Sequence, residues 1–153
     1  MAFRLVGGAG DTGEAVAVNV YASGVVRPGM VVDFDHANHR VFPGSASSTV
    51  TTVFGVCLDY AQGASDTQVR VIPFVPGQVW EADCQNAIST VQIGYKHQVG
   101  PTGVYLLNTS YDQTGATGVF FVWNIDGLTT GSGKVLGEFI RVGAVPQNTT
   151  VYF

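Results

Sequence analysis

Apolar and polar residues alternate with a period of two along most of this 153-residue chain. The clearest case is the segment 91–99, in which every second residue belongs to the series Val91, Ile93, Tyr95, His97 and Val99. Segments 16–20, 49–58 and 68–71 show the same alternation. Successive side chains of a β-strand point to opposite faces, so the pattern predicts half-buried strands, while the helical period is almost missing.

Turn-forming residues separate these alternating segments. Proline or glycine lies at 27–29, 43–44, 62–63, 76–77, 100–101, 126–127 and 131–133. Proline fixes φ and glycine permits positive φ, so each position favours a turn. Roughly eight to ten short strands at this spacing predict an all-β fold, either a small β-barrel or a β-sandwich. No linker or charge block divides the chain, so we expect one domain over residues 1–153.

The charge content excludes two classes of partner. Charged residues make up 12% of the chain, against about 25% in an average globular domain. The formal net charge is −4, and the seven lysines and arginines are spread along the sequence. Nucleic-acid and membrane-surface binding both depend on clustered Lys and Arg, so we expect neither.

Targeting segments are also not expected. No apolar run approaches the roughly 18 residues of a membrane span. The first residues reach glycines before any long apolar core develops, which is unlike a signal peptide. We therefore expect synthesis in the cytoplasm.

The first 14 residues are rich in glycine, and Gly8, Gly10 and Gly13 match the G-x-G-x-x-G pattern of dinucleotide sites. That pattern requires a following helix, because the pyrophosphate binds at the helix N-terminus. The alternating segment 15–20 predicts a strand instead. We expect no dinucleotide cofactor and interpret the glycine-rich residues 1–14 as a flexible N-terminal arm or a turn; an arm could order on binding a neighbour.

The densest polar cluster runs from Asp33 to His39. Asp33 and Asp35 share a strand face, and His36 and His39 follow them, so the donor types suit a metal ion. The alternative is a strand end followed by a solvated turn, where Asp, Asn and His are common. We favour the turn and expect no metal.

Other candidate catalytic groups also have structural interpretations. Glu81 and Asp83 alternate on one strand, but nothing implies an apolar pocket that would raise one pKa, so we favour a solvated strand face. His97 belongs to an alternating apolar face, which predicts a packed histidine. Cys57 and Cys84 match no metal spacing and are expected to be buried free thiols, with a disulfide as the open alternative. We predict no catalytic residues and no enzyme activity.

Two segments, 104–107 and 119–123, are apolar on both strand faces. A strand has this composition when both sides are covered, by a second sheet, a barrel interior or a partner subunit. We expect Phe121 and Trp123 in the core, with Phe120 on the opposite face at an interface or a second covered surface.

Two apolar strands carry an internal glycine, Gly55 in the segment 53–58 and Gly137 in the segment 135–140. A glycine in such a position predicts a bulge or a close backbone approach.

Several motifs occur in a fixed order along residues 20–145. Pro28-Gly29-Met30-Val31-Val32 comes first, then Val53-Phe54-Gly55-Val56-Cys57-Leu58-Asp59, then the strand 69–71 and Val79-Trp80-Glu81-Ala82-Asp83. In this order the chain resembles the small β-barrel decoration, or cement, proteins of tailed-bacteriophage capsids.

The resemblance implies a structural virion protein on the capsid exterior. Its partner would be the major capsid protein, and it would form a homo-oligomer, with a trimer favoured. The resemblance carries no catalytic residues. We expect the subunit or capsid interface to include Phe3, Arg4, Trp80, Phe120, Trp123 and Phe153.

Two other functions remain open. A carbohydrate-binding β-sandwich would use Trp80, Trp123 and tyrosines as stacking platforms. A tail-tube or other phage β-structural component would differ mainly in assembling as rings or tubes.

Overall fold

The computed structural model describes residues 3–8, 17–62, 67–75, 77–85, 93–111, 117–125, 134–145 and 149–152. The all-β prediction is confirmed. Within these ranges the one helical element is a 3-10 turn at Pro101–Gly103. None of the described segments is a helix long and apolar enough to cross a membrane.

Strands follow one another along the described chain, most of them four to six residues long. They are β1 Phe3–Gly8, β2 Val18–Ala22, β3 Val31–Asp35, β4 Arg40–Pro43, β5 Val53–Cys57, β6 Thr67–Pro73, β7 Gln78–Asp83, β8 Lys96–Val99, β9 Leu106–Tyr111, β10 Phe120–Ile125, β11 Lys134–Phe139, β12 Val142–Val145 and β13 Thr149–Tyr152.

Five strands close into a barrel in the order β2-β4-β3-β5-β6. The alternation predicted for segments 16–20 and 68–71 is confirmed where the structure describes it. Val69 and Val71 point into the barrel, while Gln68 and Arg70 point to solvent. Eight fully or nearly fully buried residues fill the interior: Ala22, Val26, Val32, Val41, Cys57, Ala61, Val69 and Val71.

Six strands form a second sheet in the order β1-β7-β11-β10-β8-β9. A bridge between Cys84 and Leu106 links the end of β7 to β9, so the sheet curls back toward itself. Its inner face packs against the outside of the barrel, where Val31, Val53 and Val56 join the same core as the aromatic residues. That shared core joins the two sheets, and one domain over residues 1–153 stays a prediction.

Two predicted strands are shorter than the sequence pattern suggests. Residues 49–52 form a turn before β5, since the amide of Thr49 bonds to the Thr52 hydroxyl at 2.9 Å and the amide of Thr52 to the Thr49 carbonyl at 3.0 Å. Side-chain hydroxyls of this kind compete with strand pairing. Likewise, Gly94 adopts φ +84° in a turn, so β8 begins only at Lys96.

Residues 3–8 are not a free arm. They form β1, which pairs antiparallel with β7, and Phe3 is fully buried. These residues are therefore ordered as a strand of the six-stranded sheet, and the arm over residues 1–14 stays a prediction. The rest of the segment 1–14 lies outside the described residues.

Both strand glycines allow close backbone approach, as predicted. A Cβ on Gly55 would overlap the Ile72 carbonyl, and one on Gly137 would overlap the carbonyl of Phe121. Each also lies beside a register shift, at Phe54 in β5 and at Trp123 in β10. The β10 bulge leaves Trp123 as an extra residue opposite Gly137 and Leu136.

Gly137→Ala is expected to destabilise the fold by an amount at the upper end of the roughly 1–3 kcal/mol typical of overpacking, because the obstructing atom is backbone. Gly94→Ala is the matched control: nothing lies within 4 Å of its Cβ, so only the left-handed backbone opposes it, at about 1–2 kcal/mol. Urea denaturation of both variants measures the difference. A Gly137→Ala loss smaller than that of Gly94→Ala would contradict the close packing of β10 on β11.

Candidate interaction surface

The side of the six-stranded sheet that faces away from the barrel is formed by β1, β7, β11 and β10, which are neighbours in that order. Strand alternation places eight side chains on it, and we add Val6 and Trp123, the extra residues at the two register shifts. We call this the outer sheet face; it comprises Arg4, Val6, Val79, Glu81, Asp83, Phe121, Trp123, Lys134, Leu136 and Glu138.

Opposite charges on the outer sheet face are paired across strands. Arg4 contacts Glu81 at 3.1 Å, and the Lys134 ammonium lies 3.5 Å from Glu81 and 3.0 Å from Asp83. The hydrogen bond to Asp83 and the nearby negative charge raise the pKa of Lys134. The predicted solvated face is wrong for Glu81, which is 8% exposed, whereas Asp83 is half-buried. Both carboxylates are held by cations in ion pairs across the strands.

Apolar side chains lie beside these charges. Trp123 is 40% exposed and Val6 is 42% exposed, although both are large apolar residues. Phe121 lies half-buried, directly opposite Glu138, and burial raises the pKa of that glutamate. The outer sheet face therefore combines exposed apolar area with charges that largely neutralise one another.

The predicted interface residues fall into two groups. Phe3, Trp80 and Phe120 are at most 1% exposed in the core between sheet and barrel, so in the single chain they do not lie on the surface. Arg4 and Trp123 lie on the outer sheet face, and their role stays a prediction. Phe153 lies outside the described residues.

The face assignment of β10 is the reverse of the predicted one. Phe120 pairs with His97 and Phe139 and shares their inward direction, and its ring packs 6.4 Å from that of Phe3. Phe121 and Trp123 consequently point outward. Because Trp80 is buried, the carbohydrate-binding alternative also loses one of its two tryptophan platforms.

The cluster Asp33–His39 is spread over a strand end and a turn, as the favoured interpretation had it. The Asp35 carboxylate accepts bonds from the Ala37 amide at 3.0 Å and the Asn38 side chain at 2.7 Å, and these bonds lower its pKa. His36 packs on the ring of Phe34. Among the residues that the structure describes, no group of three or more potential metal ligands comes together.

His97 is fully buried in the core, which confirms the predicted packed histidine. Cys57 is a buried free thiol, and Cys84 is free but only partly buried. Burial raises the pKa of both thiols, to about 12 for Cys84.

Asp33 is buried, which the sequence pattern did not predict. It is 4% exposed, and its Oδ2 accepts a 2.7 Å hydrogen bond from Ser48. Its Oδ1 has no hydrogen-bond partner among the described atoms. Burial raises the pKa of Asp33 from 3.8 to about 6. The sequence feature that indicates this burial is the position of Asp33 directly after Val31 and Val32, since all three residues are buried in β3.

Comparison with known proteins finds similarity in structure but not in sequence family. No protein-family model matches the chain, and no curated protein matches it. Its fold is similar to a crystal structure of the head fiber gp8.5 N base in bacteriophage phi29, with a TM-score of 0.48 and 13% sequence identity. The alignment covers 81% of this chain and 92% of that one.

Proposed function

We propose that this chain is a structural component of a tailed-phage particle, which binds the outer capsid surface and clamps neighbouring major capsid subunits. The observation that carries the proposal is the outer sheet face, on which Trp123 and Val6 are exposed and the charged side chains of neighbouring strands are paired. The order of sequence motifs shared with decoration proteins supports the class of particle.

The motifs and the face contribute differently. Pro28-Gly29 forms the turn before β3, and the segments around Gly55 and Trp80 build β5 and β7. These residues form the barrel and the sheet, so the resemblance concerns the fold of the chain and not its contact surface. The side chains that contact the capsid in this proposal are those of the outer sheet face.

Paired charges suit this face for docking. A charge that loses water without a partner is costly, whereas Glu81 already has two cations within 3.5 Å. Exposed tryptophan is enriched where protein interfaces concentrate their binding energy. We therefore place the main capsid contact at Trp123.

The size of the face argues for several copies acting together. Four strands about 4.8 Å apart and six residues of about 3.3 Å each give a footprint on the order of 400 Å². A standard interface buries about 800 Å² on each partner. One copy would bind weakly, and an oligomer gains affinity by presenting several faces at once.

Trp123→Ala is expected to weaken binding to expanded capsids at least about tenfold, which corresponds to about 1.4 kcal/mol. Tyr60→Ala is the matched control, because Tyr60 is 56% exposed and lies between the barrel strands β5 and β6, outside the outer sheet face. Cosedimentation of each purified variant with capsids lacking this chain measures the affinity. Equal binding by Trp123→Ala and Tyr60→Ala would remove the outer sheet face from the proposal.

A further inference from the structure

β1 is held in place by backbone pairing and side-chain packing within the six-stranded sheet. Five residues of β1 pair with β7, from Phe3 opposite Ala82 to Gly8 opposite Gln78. The Phe3 ring inserts into the core 5.4 Å from Phe139 and 6.4 Å from Phe120. Removing β1 would open this apolar slot, so the fold requires an occupant there.

β1 also lies at the edge of its sheet. Among the described strands it pairs with β7 alone, so it can leave without breaking any other strand pair. An apolar cavity of about 210 Å³ lies between β1 and the barrel, lined in part by Leu5, Leu58 and Ile72. Packing of β1 on its own barrel is therefore incomplete, and β7 provides its main attachment.

The connection between β1 and the next strand is long for two strands in different sheets. β2 belongs to the barrel, and residues 9–16 separate Gly8 from Ala17, with glycines at 10 and 13 and no proline. Nine Cα–Cα steps span up to roughly 30 Å when extended. An exchange of β1 therefore requires the β7 edge of the neighbour to lie within that distance of Ala17.

We propose that β1 is exchanged between copies of this chain, so that residues 3–8 of each copy occupy the β7 edge of its neighbour. The inference rests on the oligomer of the proposed function. Each exchanged strand makes the same contacts as in a single chain, including the Arg4–Glu81 ion pair, so exchange costs no native interaction. Head-to-tail exchange of this kind closes into a ring when the rotation permits, as in a trimer.

A disulfide between register partners distinguishes the two arrangements. Arg4 and Glu81 lie directly opposite each other in the antiparallel β1–β7 pair. Opposed residues of antiparallel strands have Cα atoms about 4.5–5.5 Å apart, which a disulfide can span. Arg4→Cys is placed in one tagged chain and Glu81→Cys in a second, both with Cys57→Ala and Cys84→Ala, and the chains are co-expressed and oxidised. Exchange predicts a covalent heterodimer on non-reducing gels.

Matched variants keep the test decisive. Asn19→Cys and Arg70→Cys, register partners in β2 and β6 of the barrel, are expected to give no heterodimer. If the Arg4/Glu81 pair does not fold, Gly8→Cys with Gln78→Cys probes the other end of β1. No heterodimer from an oligomeric protein, or a monomer by light scattering, would overturn the exchange. Capsid binding by Trp123 is measured separately, so either idea can fail alone.

Discussion

Trp80→Ala is expected to lower the free energy of unfolding by about 3–5 kcal/mol, as for other large-to-small changes in a packed core. Trp80 is 1% exposed, and its ring packs edge-on against Phe74 at 5.5 Å and Phe139 at 5.9 Å. The indole nitrogen donates a 3.2 Å hydrogen bond to Gln78, whose amide oxygen would lose this donor. Guanidinium denaturation followed by circular dichroism measures the loss.

Trp123→Ala provides the internal control for that measurement. Its side chain is 40% exposed on the outer sheet face, so truncation is expected to cost about 1 kcal/mol or less. Tryptophan emission should agree: Trp123→Ala retains the blue-shifted signal of the buried Trp80. Similar stability losses in the two variants would contradict the assignment of one tryptophan to the core and the other to the surface.

Asp33→Asn is expected to raise stability at pH 7.5 by up to about 3 kcal/mol, since each pKa unit corresponds to 1.36 kcal/mol. Burial raises the pKa of Asp33 from 3.8 to about 6, so the native state binds this proton more tightly than the unfolded state. The stabilising contribution of the protonated form is complete below pH 3.8 and is lost as pH rises through about 6. Asparagine stays neutral and keeps an acceptor for Ser48.

Comparison at two pH values isolates this carboxylate. At pH 4 the wild type and Asp33→Asn should unfold at nearly the same denaturant concentration. As pH rises, the variant should become more stable than the wild type. Asp35→Asn is the control with the opposite sign, because hydrogen bonds from Asn38 lower the pKa of Asp35. If Asp33→Asn loses stability at pH 7.5, the carboxylate is stabilised in its charged form and the account of its burial is wrong.

The sequence predicted the strands best where one face meets water. Alternation located β2 and β6 because polar and apolar residues mark their two faces. The pattern gave the wrong bounds at residues 49–52, where threonine hydroxyls close a turn that period-two spacing cannot reveal. In β10 both faces are apolar, so alternation separated Phe120 from Phe121 but did not show which of them points inward.

The outer sheet face could not be predicted from the sequence, because its strands come from distant parts of the chain. Arg4 and Glu81 form their ion pair across 77 positions, and β11 lies between β7 and β10 in the sheet. Local patterns carry no information on such pairings, which depend on how the strands are ordered. Trp123 was identified as a candidate from its residue type, but the face that it occupies follows from the inward direction of Phe120 in the sheet.

Titration of expanded capsids that lack this chain with the purified protein tests the central claim most directly. The control is the protein sedimented without capsids, which should stay in the supernatant. With capsids present, we expect saturation at a fixed ratio to the major capsid protein, together with a higher temperature of capsid disruption. Protein that stays in the supernatant at every capsid concentration and leaves the disruption temperature unchanged would contradict a role in stabilising the phage head.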